Sequence, residues 1–411
     1  MLSSFRWLPR FGRAWKPLDF SKATFPKLSP TQLIEEENLP GYLASRYYPI
    51  HIGEVLRDRY QIVGKLGFGA SSTVWLARDL SQNRHVALKL FINSESMGNQ
   101  VDDELNIYKR IGAGPKSHPG SSAVRTLIDS FDVVGPNGSH RCLVHPPLFE
   151  SVITFLWRNP VRRLPVPILA IVLRELFYAL DFLHTECKII HTDIKADNIM
   201  FSIADETVFT DFEQQELEQP SPRKELDGRT IYRSRDLRMP KRMGAPVLCD
   251  FGSAVLGSIP HTEDVQPNIY RAPEVILQVP WSYEIDIWNT GAMIWDIFEG
   301  GHLFTGHDPE HDAYRSRAHI AEMIALLGPP PRELLARGNL SRKFFSDDGS
   351  FIGDIPLPSP APLEKIESSL EGEARELFLR FMRKMLQWEA RNRSSAKELL
   401  QDEWIRINTK M

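Results

Sequence analysis

Cysteine is scarce in this chain, three among 411 residues, and Cys142, Cys187 and Cys249 stand far apart. No C-x-x-C pair offers a zinc site and no spacing offers a disulfide framework, so reduced intracellular thiols are the simplest expectation. An excess of either charge is also missing. Lys and Arg number 49 against 53 Asp and Glu, a formal net charge of −4, and no global field argues for direct nucleic-acid binding. Long apolar runs are absent too. The most apolar stretch, 166–184, is broken by Arg174, Glu175 and Asp181 and reads as an amphipathic core helix, so no membrane span is expected. What remains, 42% hydrophobic and 25% charged residues, suits a globular chain able to bury a sizeable core in one large domain or two lobes.

The first 30 residues carry Arg6, Arg10, Arg13, Lys16, Lys22 and Lys27 against one acid, Asp19, with Phe5, Trp7, Phe11 and Trp15 interleaved. Pro9, Pro17 and Pro26 favour a basic, poorly ordered extension over 1–46; a mitochondrial transit peptide is the minor alternative. An acidic run, Glu35-Glu36-Glu37, lies in the lead-in at 31–50. From Tyr60 the pattern turns to strands: 60–63, then strand, glycine turn and strand over 66–77, then 86–90, 126–134 and 142–145, with one helical stretch at 102–111. After Pro146-Pro147 long helical patterns follow at 166–185, 284–299, 316–327 and 371–388, punctuated by proline clusters. The pattern predicts a small strand-rich lobe followed by a large, mainly helical one.

The residues that carry chemistry start at His191-Thr192-Asp193-Ile194-Lys195-Ala196-Asp197-Asn198. Phosphoryl transfer needs a carboxylate near the attacking hydroxyl, a cation near the moving phosphate and oxygen ligands for magnesium. Asp193, Lys195 and Asn198 offer these three, and Asp250, in Cys249-Asp250-Phe251-Gly252, offers a second hard oxygen ligand. The glycine turn Gly67-Phe68-Gly69 lets backbone amides approach phosphate oxygens with no Cβ in the way. Lys89 ends the apolar strand Val86-Ala87-Leu88-Lys89; it either snorkels to solvent or contacts phosphates. Glu104, at the start of the 102–111 helix, is its best carboxylate partner, ahead of Glu95.

In this order, and followed by Ala272-Pro273-Glu274, the motifs resemble those of a eukaryotic-type protein kinase from about Tyr60 to Trp404. Within that superfamily the chain resembles the serine/arginine-protein kinases, particularly fungal ones. The resemblance rests on Tyr48-Pro49-Ile50-His51-Ile52-Gly53-Glu54, Ser72-Thr73-Val74-Trp75-Leu76-Ala77, His191 to Lys195, Cys249 to Ala254 and Thr262-Glu263-Asp264-Val265-Gln266. It implies an α+β, bilobal protein-kinase fold over 47–408: a β-rich N-lobe with one main helix to about 145, a hinge at about 146–149, and a mainly helical C-lobe from about 150. It implies ATP and Mg2+ as cofactors, and transfer of the γ-phosphate to Ser or Thr of protein substrates. Arg/Ser-rich proteins are one candidate class of substrate. A monomer in the cytoplasm or nucleus, with no direct nucleic-acid partner, is expected. Carried onto this chain, Asp193 and Lys195 are the catalytic pair, and Asn198 and Asp250 hold the metal. Leu66, Gly67, Phe68, Gly69, Ala70, Ser71, Ser72, Val74, Ala87, Lys89 and Glu104 surround ATP, with the Pro146 carbonyl and the Leu148 N–H taking the adenine. Asp286 anchors the catalytic-loop backbone, and Arg393 pairs with Glu274. A scaffold without phosphotransfer, the rival reading, predicts loss of Lys89, Asp193, Asn198 or Asp250, and none is lost. A small-molecule kinase is disfavoured by the 266–274 segment.

Several positions depart from the usual kinase pattern. Thr192 stands where many kinases carry an Arg that holds a loop phosphate, which implies activity without loop phosphorylation. His145 falls at the gatekeeper position; a His facing a neighbouring backbone group is the favoured reading. Tyr314-Arg315-Ser316-Arg317-Ala318-His319 is basic where the resemblance implies acids that dock arginine-rich substrates, although Asp308, Glu310 and Asp312 are near. Finally, Asn198 and Asp250 lie 52 positions apart, farther than in the general kinase pattern, which implies an insertion at about 203–246; a spacer there is itself a trait of the serine/arginine-protein kinases. Its first part has acids and no base over 205–218; its second has eight Lys/Arg against three acids over 223–242. Such segregation predicts an exposed, mobile stretch. Arg233-Ser234-Arg235 within it reads as a solvated basic loop, with autophosphorylation as the alternative.

Overall fold

The computed structural model describes residues 14–21, 24–226 and 228–410. The basic start at 1–13, on which the tail-or-transit-peptide alternative chiefly rests, lies outside them. The chain divides into two compact units.

The first unit comprises Met1–Asp102, Thr126–Leu148 and Ile203–Met243. Its frame is an antiparallel sheet of β1 (Val55–Leu56), β2 (Tyr60–Phe68), β3 (Ser72–Asp79), β4 (Arg84–Phe91), β5 (Asp129–Gly135) and β6 (Gly138–His145), ordered β1-β2-β3-β4-β6-β5. Strand alternation explains which side chains meet. Val86, Leu88 and Leu90 of β4 join Tyr60, Ile62, Trp75, Ala77, Phe131 and Val144 in one core, while Ala87 and Lys89 point to the opposite face.

The insertion departs from the expectation of a mobile stretch, because most of it packs on this sheet. Val208, Phe209 and Phe212 lie on one face of the helix Thr207–Glu218 and are buried there. Asp205 closes the start of that helix, accepting from the Thr207 N–H at 3.2 Å and the Thr207 hydroxyl at 2.6 Å. Strand β2 meets the helix so closely that a Cβ at Gly64 would stand 2.7 Å from Phe212 Cε1. Glu213 bonds Arg78 at 3.1 Å and His85 at 2.7 Å. Next comes a hairpin, Arg223–Leu226 with Arg229–Tyr232, whose Tyr232 enters the sheet core edge-on to Trp75, ring centroids 5.5 Å apart.

The lead-in is ordered against the insertion. Leu28 N–H donates to the Arg223 carbonyl at 2.9 Å, and Arg223 N–H to that of Pro26 at 3.1 Å. The acidic run forms a short turn, Glu35–Asn38, with Glu36 and Glu37 buried. Glu36 pairs with Lys65 of β2 and Arg229 of the hairpin; Glu37 pairs with Lys224 at 2.7 Å. Within the insertion, Glu216 pairs with Arg235 at 3.0 Å and Asp211 with Arg238. Blocks that read as solvated charge in one dimension are partners in three, which is why the stretch is packed.

The second unit comprises Asp103–Arg125, Phe149–Ser202 and Gly244–Met411. Its helices include Val166–Asp181, Glu284–Glu299, Ser316–Leu327 and Gly372–Arg383. Leu169, Leu173, Leu176, Phe177 and Leu180 recur at helical spacing and are buried. The helix Gln100–Ala113, expected in the first lobe, groups with this unit from Asp103 onward. Its inner face explains this: Tyr108 packs edge-on to Phe251 at 5.3 Å, and Arg110 donates to the Cys187 carbonyl. All three cysteines are buried with no disulfide between them. Among the described residues no helix is long and apolar enough to cross a membrane.

Replacing Glu36 with Ala removes the carboxylate shared by two buried cations, leaving Lys65 with Glu35 at 3.4 Å and Arg229 with the Tyr42 hydroxyl. The expected loss is about 3–5 kcal/mol in urea denaturation, as for other broken buried pairs. A loss below about 1 kcal/mol, the range of exposed pairs, would show that the network does not organise this unit.

Candidate active site

The geometry of the second unit is built around Asp286, whose side chain is 0% exposed. Its Oδ2 accepts from the His191 N–H at 2.8 Å and its Oδ1 from the Thr192 N–H at 2.8 Å, with His184 Nε2 at 2.9 Å. One turn along the same helix, Asn289 accepts from the Ile194 N–H at 3.2 Å and donates to the Ile194 carbonyl. The loop is therefore gripped on both sides of Asp193. Asp286 was legible as an anchor; Asn289 was not singled out, although its position three residues on marks the same helix face.

Within this grip Asp193 Oδ2 lies 2.8 Å from Lys195 Nζ and 2.9 Å from Asn198 Nδ2. His191, fully buried, has Nε2 3.1 Å from the Cys249 carbonyl and Nδ1 3.2 Å from the Asp193 N–H. Cys249 N–H in turn donates to the Asn198 carbonyl at 2.8 Å. The catalytic loop and the Asp-Phe-Gly segment are thus stitched backbone to backbone, and Asp250 follows directly with its side chain exposed and a left-handed φ of 63°. Phe251 is buried between the Tyr108 and His191 rings. Glu104, also buried, lies beside Gly252, where a Cβ would meet Glu104 Oε2 at 3.4 Å. Burial, with Glu104 next in weight, raises the pKa of Tyr108 well above the usual tyrosine value.

Thr192, at φ 67°, donates its hydroxyl to the Ser253 carbonyl at 2.8 Å. Beyond it Val255–Leu256 pairs antiparallel with Ile189–Ile190, and Gly257 N–H donates to the Lys188 carbonyl at 2.9 Å. His261 stacks on Trp281 at 4.6 Å with Nε2 2.8 Å from the Leu256 carbonyl. Gln266 bridges the Ile285 carbonyl and the Ala272 N–H, at 2.8 and 2.9 Å. Glu274 and Arg393 pair at 2.7 Å, fully buried. The segment from Gly252 to Glu274 is held by neutral hydrogen bonds, ring stacking and the chain's own ion pairs. In the basic stretch expected to oppose docking, Arg317 binds Asp308 and Glu310. That guanidinium holds the Asp308 carboxyl well below the usual carboxylate range. The ligand atoms of Asp308, Glu310 and His311 converge within 4.8 Å of one another, but Arg317 supplies the positive charge there. Burial pushes His319 down to about 3, so its ring is neutral beside the Tyr314 hydroxyl at 3.0 Å.

In the first unit, Lys89 lies on β4 opposite Val74 of β3 and Leu143 of β6, with Ala87 buried two residues before it. The turn between β2 and β3 is closed by Gly69 N–H donating to the Ser72 carbonyl at 2.8 Å. A Cβ at Gly67 or Gly69 would meet nothing within 4 Å, and neither has a left-handed φ. His145 Nδ1 lies 2.9 Å from the Thr126 carbonyl, the backbone contact expected of it. Pro146 and Leu148 follow, the latter buried.

This combination of sheet unit, helical unit and Asp193-centred loop is that of a phosphotransferase, and comparison with known proteins agrees. The protein kinase domain model matches residues 60–405, and the chain belongs to that family. The chain is 43% identical over 387 residues to a serine/threonine protein kinase of Aspergillus fumigatus, covering 93% of each chain. It is 31% identical over 396 residues to the serine/threonine-protein kinase SRPK of Physarum polycephalum, covering 90% of this chain and 91% of that one. SRSF protein kinase 3 of Mus musculus is 25% identical, with 90% of each chain covered. The crystal structure of a kinase domain matches with a TM-score of 0.67 at 22% identity, over 88% of this chain and 99% of that one, and shows the same two-lobed fold. The chain is a protein serine/threonine kinase with SRPK-type kinases among its relatives.

Replacing Asp286 with Ala leaves two buried N–H groups without an acceptor, at about 1–3 kcal/mol each. Thermal denaturation should show a loss of about 2–6 kcal/mol on that basis. Unchanged stability would mean that the loop is held by something else.

Proposed function

We propose that this kinase transfers the γ-phosphate of ATP to serine or threonine in the manner of the serine/arginine-protein kinases, and that it does so without phosphate on its own activation segment. The observation that carries this reading is the clasp on Asp193 by Lys195 and Asn198, together with the Thr192–Ser253 bond where a phosphate-binding arginine would act. Asp193 orients the substrate hydroxyl and accepts its proton; Lys195 lies beside it to balance charge on the transferred group. Asn198 spends its amide N–H groups on Asp193, which turns its oxygen to other partners. With the Asp250 carboxylate, this makes a hard oxygen donor set that fits magnesium. The metal, when bound, neutralises charge on the phosphates. In the first unit neither packing nor backbone conformation requires glycine at 67 and 69; room for a phosphate does. Leu66, Phe68, Ala70, Ser71, Ser72, Val74, Ala87, Lys89 and Glu104 complete the nucleotide set, with the Pro146 carbonyl and Leu148 N–H toward adenine.

The proposed substrate class is basic, Arg/Ser-containing protein, bound weakly, because Asp308 and Glu310 are already neutralised by Arg317. The three buried thiols support a setting in the cytoplasm or nucleus, and we propose action as a monomer.

Asp193→Asn should lower turnover by about 10²–10⁴ while leaving the fold intact. Equal, negligible turnover by both proteins would favour a scaffold instead. On a peptide array, Arg-Ser repeats should be phosphorylated faster than proline-directed or acidic peptides; a flat response to Arg-Ser would sink the substrate assignment.

A further inference from the structure

Ser234 stands just beyond the hairpin strand Arg229–Tyr232, at the start of a stretch, 233–240, without regular structure. Arg233 beside it is exposed and Ser234 is half-buried. Its N–H and its hydroxyl both donate to the Glu35 carboxylate, at 3.0 and 2.7 Å. Glu35 is the first residue of the acidic turn and has φ 53°, a left-handed conformation that a side chain with a Cβ adopts at a cost and keeps only when its surroundings impose it. Those surroundings are Ser234 and Lys65 Nζ, 3.4 Å from Glu35 Oε2. One serine thus clasps the lead-in to the insertion, at a strained residue, next to the Glu36 and Glu37 pairs that hold the rest of the turn.

We propose that Ser234 is a phosphorylation site and that its phosphoserine unclasps the lead-in from the insertion. The Ser234 oxygen forms a bond to the γ-phosphorus of ATP, the bond to the departing ADP breaks, and the hydroxyl proton leaves to the modifying enzyme's base. The product lacks the hydroxyl proton that Glu35 accepts and carries a charge of about −1.5 to −2 against that carboxylate. Attraction becomes like-charge repulsion, and Lys65, the cation paired with Glu35, is already engaged by Glu36. The residue lies between Arg233 and Arg235, the basic context proposed above for substrates. A second copy of this chain is therefore the proposed modifier, and in that respect the inference rests on the proposed function.

Two measurements test it. The full chain with phosphoserine encoded at 234 is compared with the unmodified chain by amide hydrogen exchange. Exchange across 31–47 should accelerate by about tenfold or more while the β2–β4 strands stay protected. The phosphorylated Glu35→Gln variant, which keeps an acceptor but loses the charge, should show a smaller rise. Unchanged exchange at 31–47 overturns the proposal. Separately, Asp193→Asn protein mixed with the unmutated chain, ATP and magnesium should gain phosphate at Ser234, and should gain none alone. Peptide phosphorylation at full rate with Ser234 unmodified overturns the proposal and leaves the proposed function standing; an enzyme inert on every peptide counts against the function itself, and the encoded phosphoserine still decides the unclasping.

Discussion

A carboxylate removed from water must have its charge met by donors, or the fold does not tolerate it. Asp286 meets that demand with the backbone of the loop it serves. Its oxygens take the N–H groups of His191 and Thr192, and the next residue is Asp193, whose backbone is thereby fixed on one side while Lys195 and Asn198 hold its carboxylate. Thr192 is forced to a left-handed φ by this arrangement, and its hydroxyl is thereby aimed at Ser253. His191, turned inward, reaches the Cys249 carbonyl. One buried charge thus sets the register of the catalytic loop, the Asp-Phe-Gly segment and the strand pair beyond it. Positioning and electrostatics are what phosphoryl transfer asks of a protein, since little covalent chemistry falls to it.

The first unit uses the same device for a different end. Glu36 is buried among Lys65 and Arg229, and Glu37 beside Lys224. Such pairs add little net stability compared with an apolar core, but they admit few alternative arrangements. Here they select one pairing of lead-in and insertion, each of which supplies the charges the other needs. Tyr232 then carries the insertion into the sheet core.

The fold was legible where the determinants are local. The helices Glu284–Glu299 and Ser316–Leu327 begin and end where apolar periodicity places them, and β2 to β4 follow from alternation around a glycine turn. The cluster of Asp193, Lys195 and Asn198 was legible because its spacing lies within one loop. The insertion was not, because its order depends on partners remote in sequence: Arg229 and Glu36 are 193 positions apart, His85 and Glu213 128. A one-dimensional view sees segregated charge and expects solvent. Even so, Val208, Phe209 and Phe212 carried a helical signal under the acids. The pairing of Arg317 with Asp308 was within reach, nine residues apart, but its direction depends on the turn between them.

The proposed function turns on the chain's own contacts, with no phosphate, holding the segment from Gly252 to Glu274 ready for catalysis. The most direct measurement is the initial rate of peptide phosphorylation by bacterially produced, phosphatase-treated enzyme, against the same enzyme after phosphorylation of that segment. The account predicts substantial activity from the start and little change on modification. An enzyme that is inert until the segment is phosphorylated would contradict it.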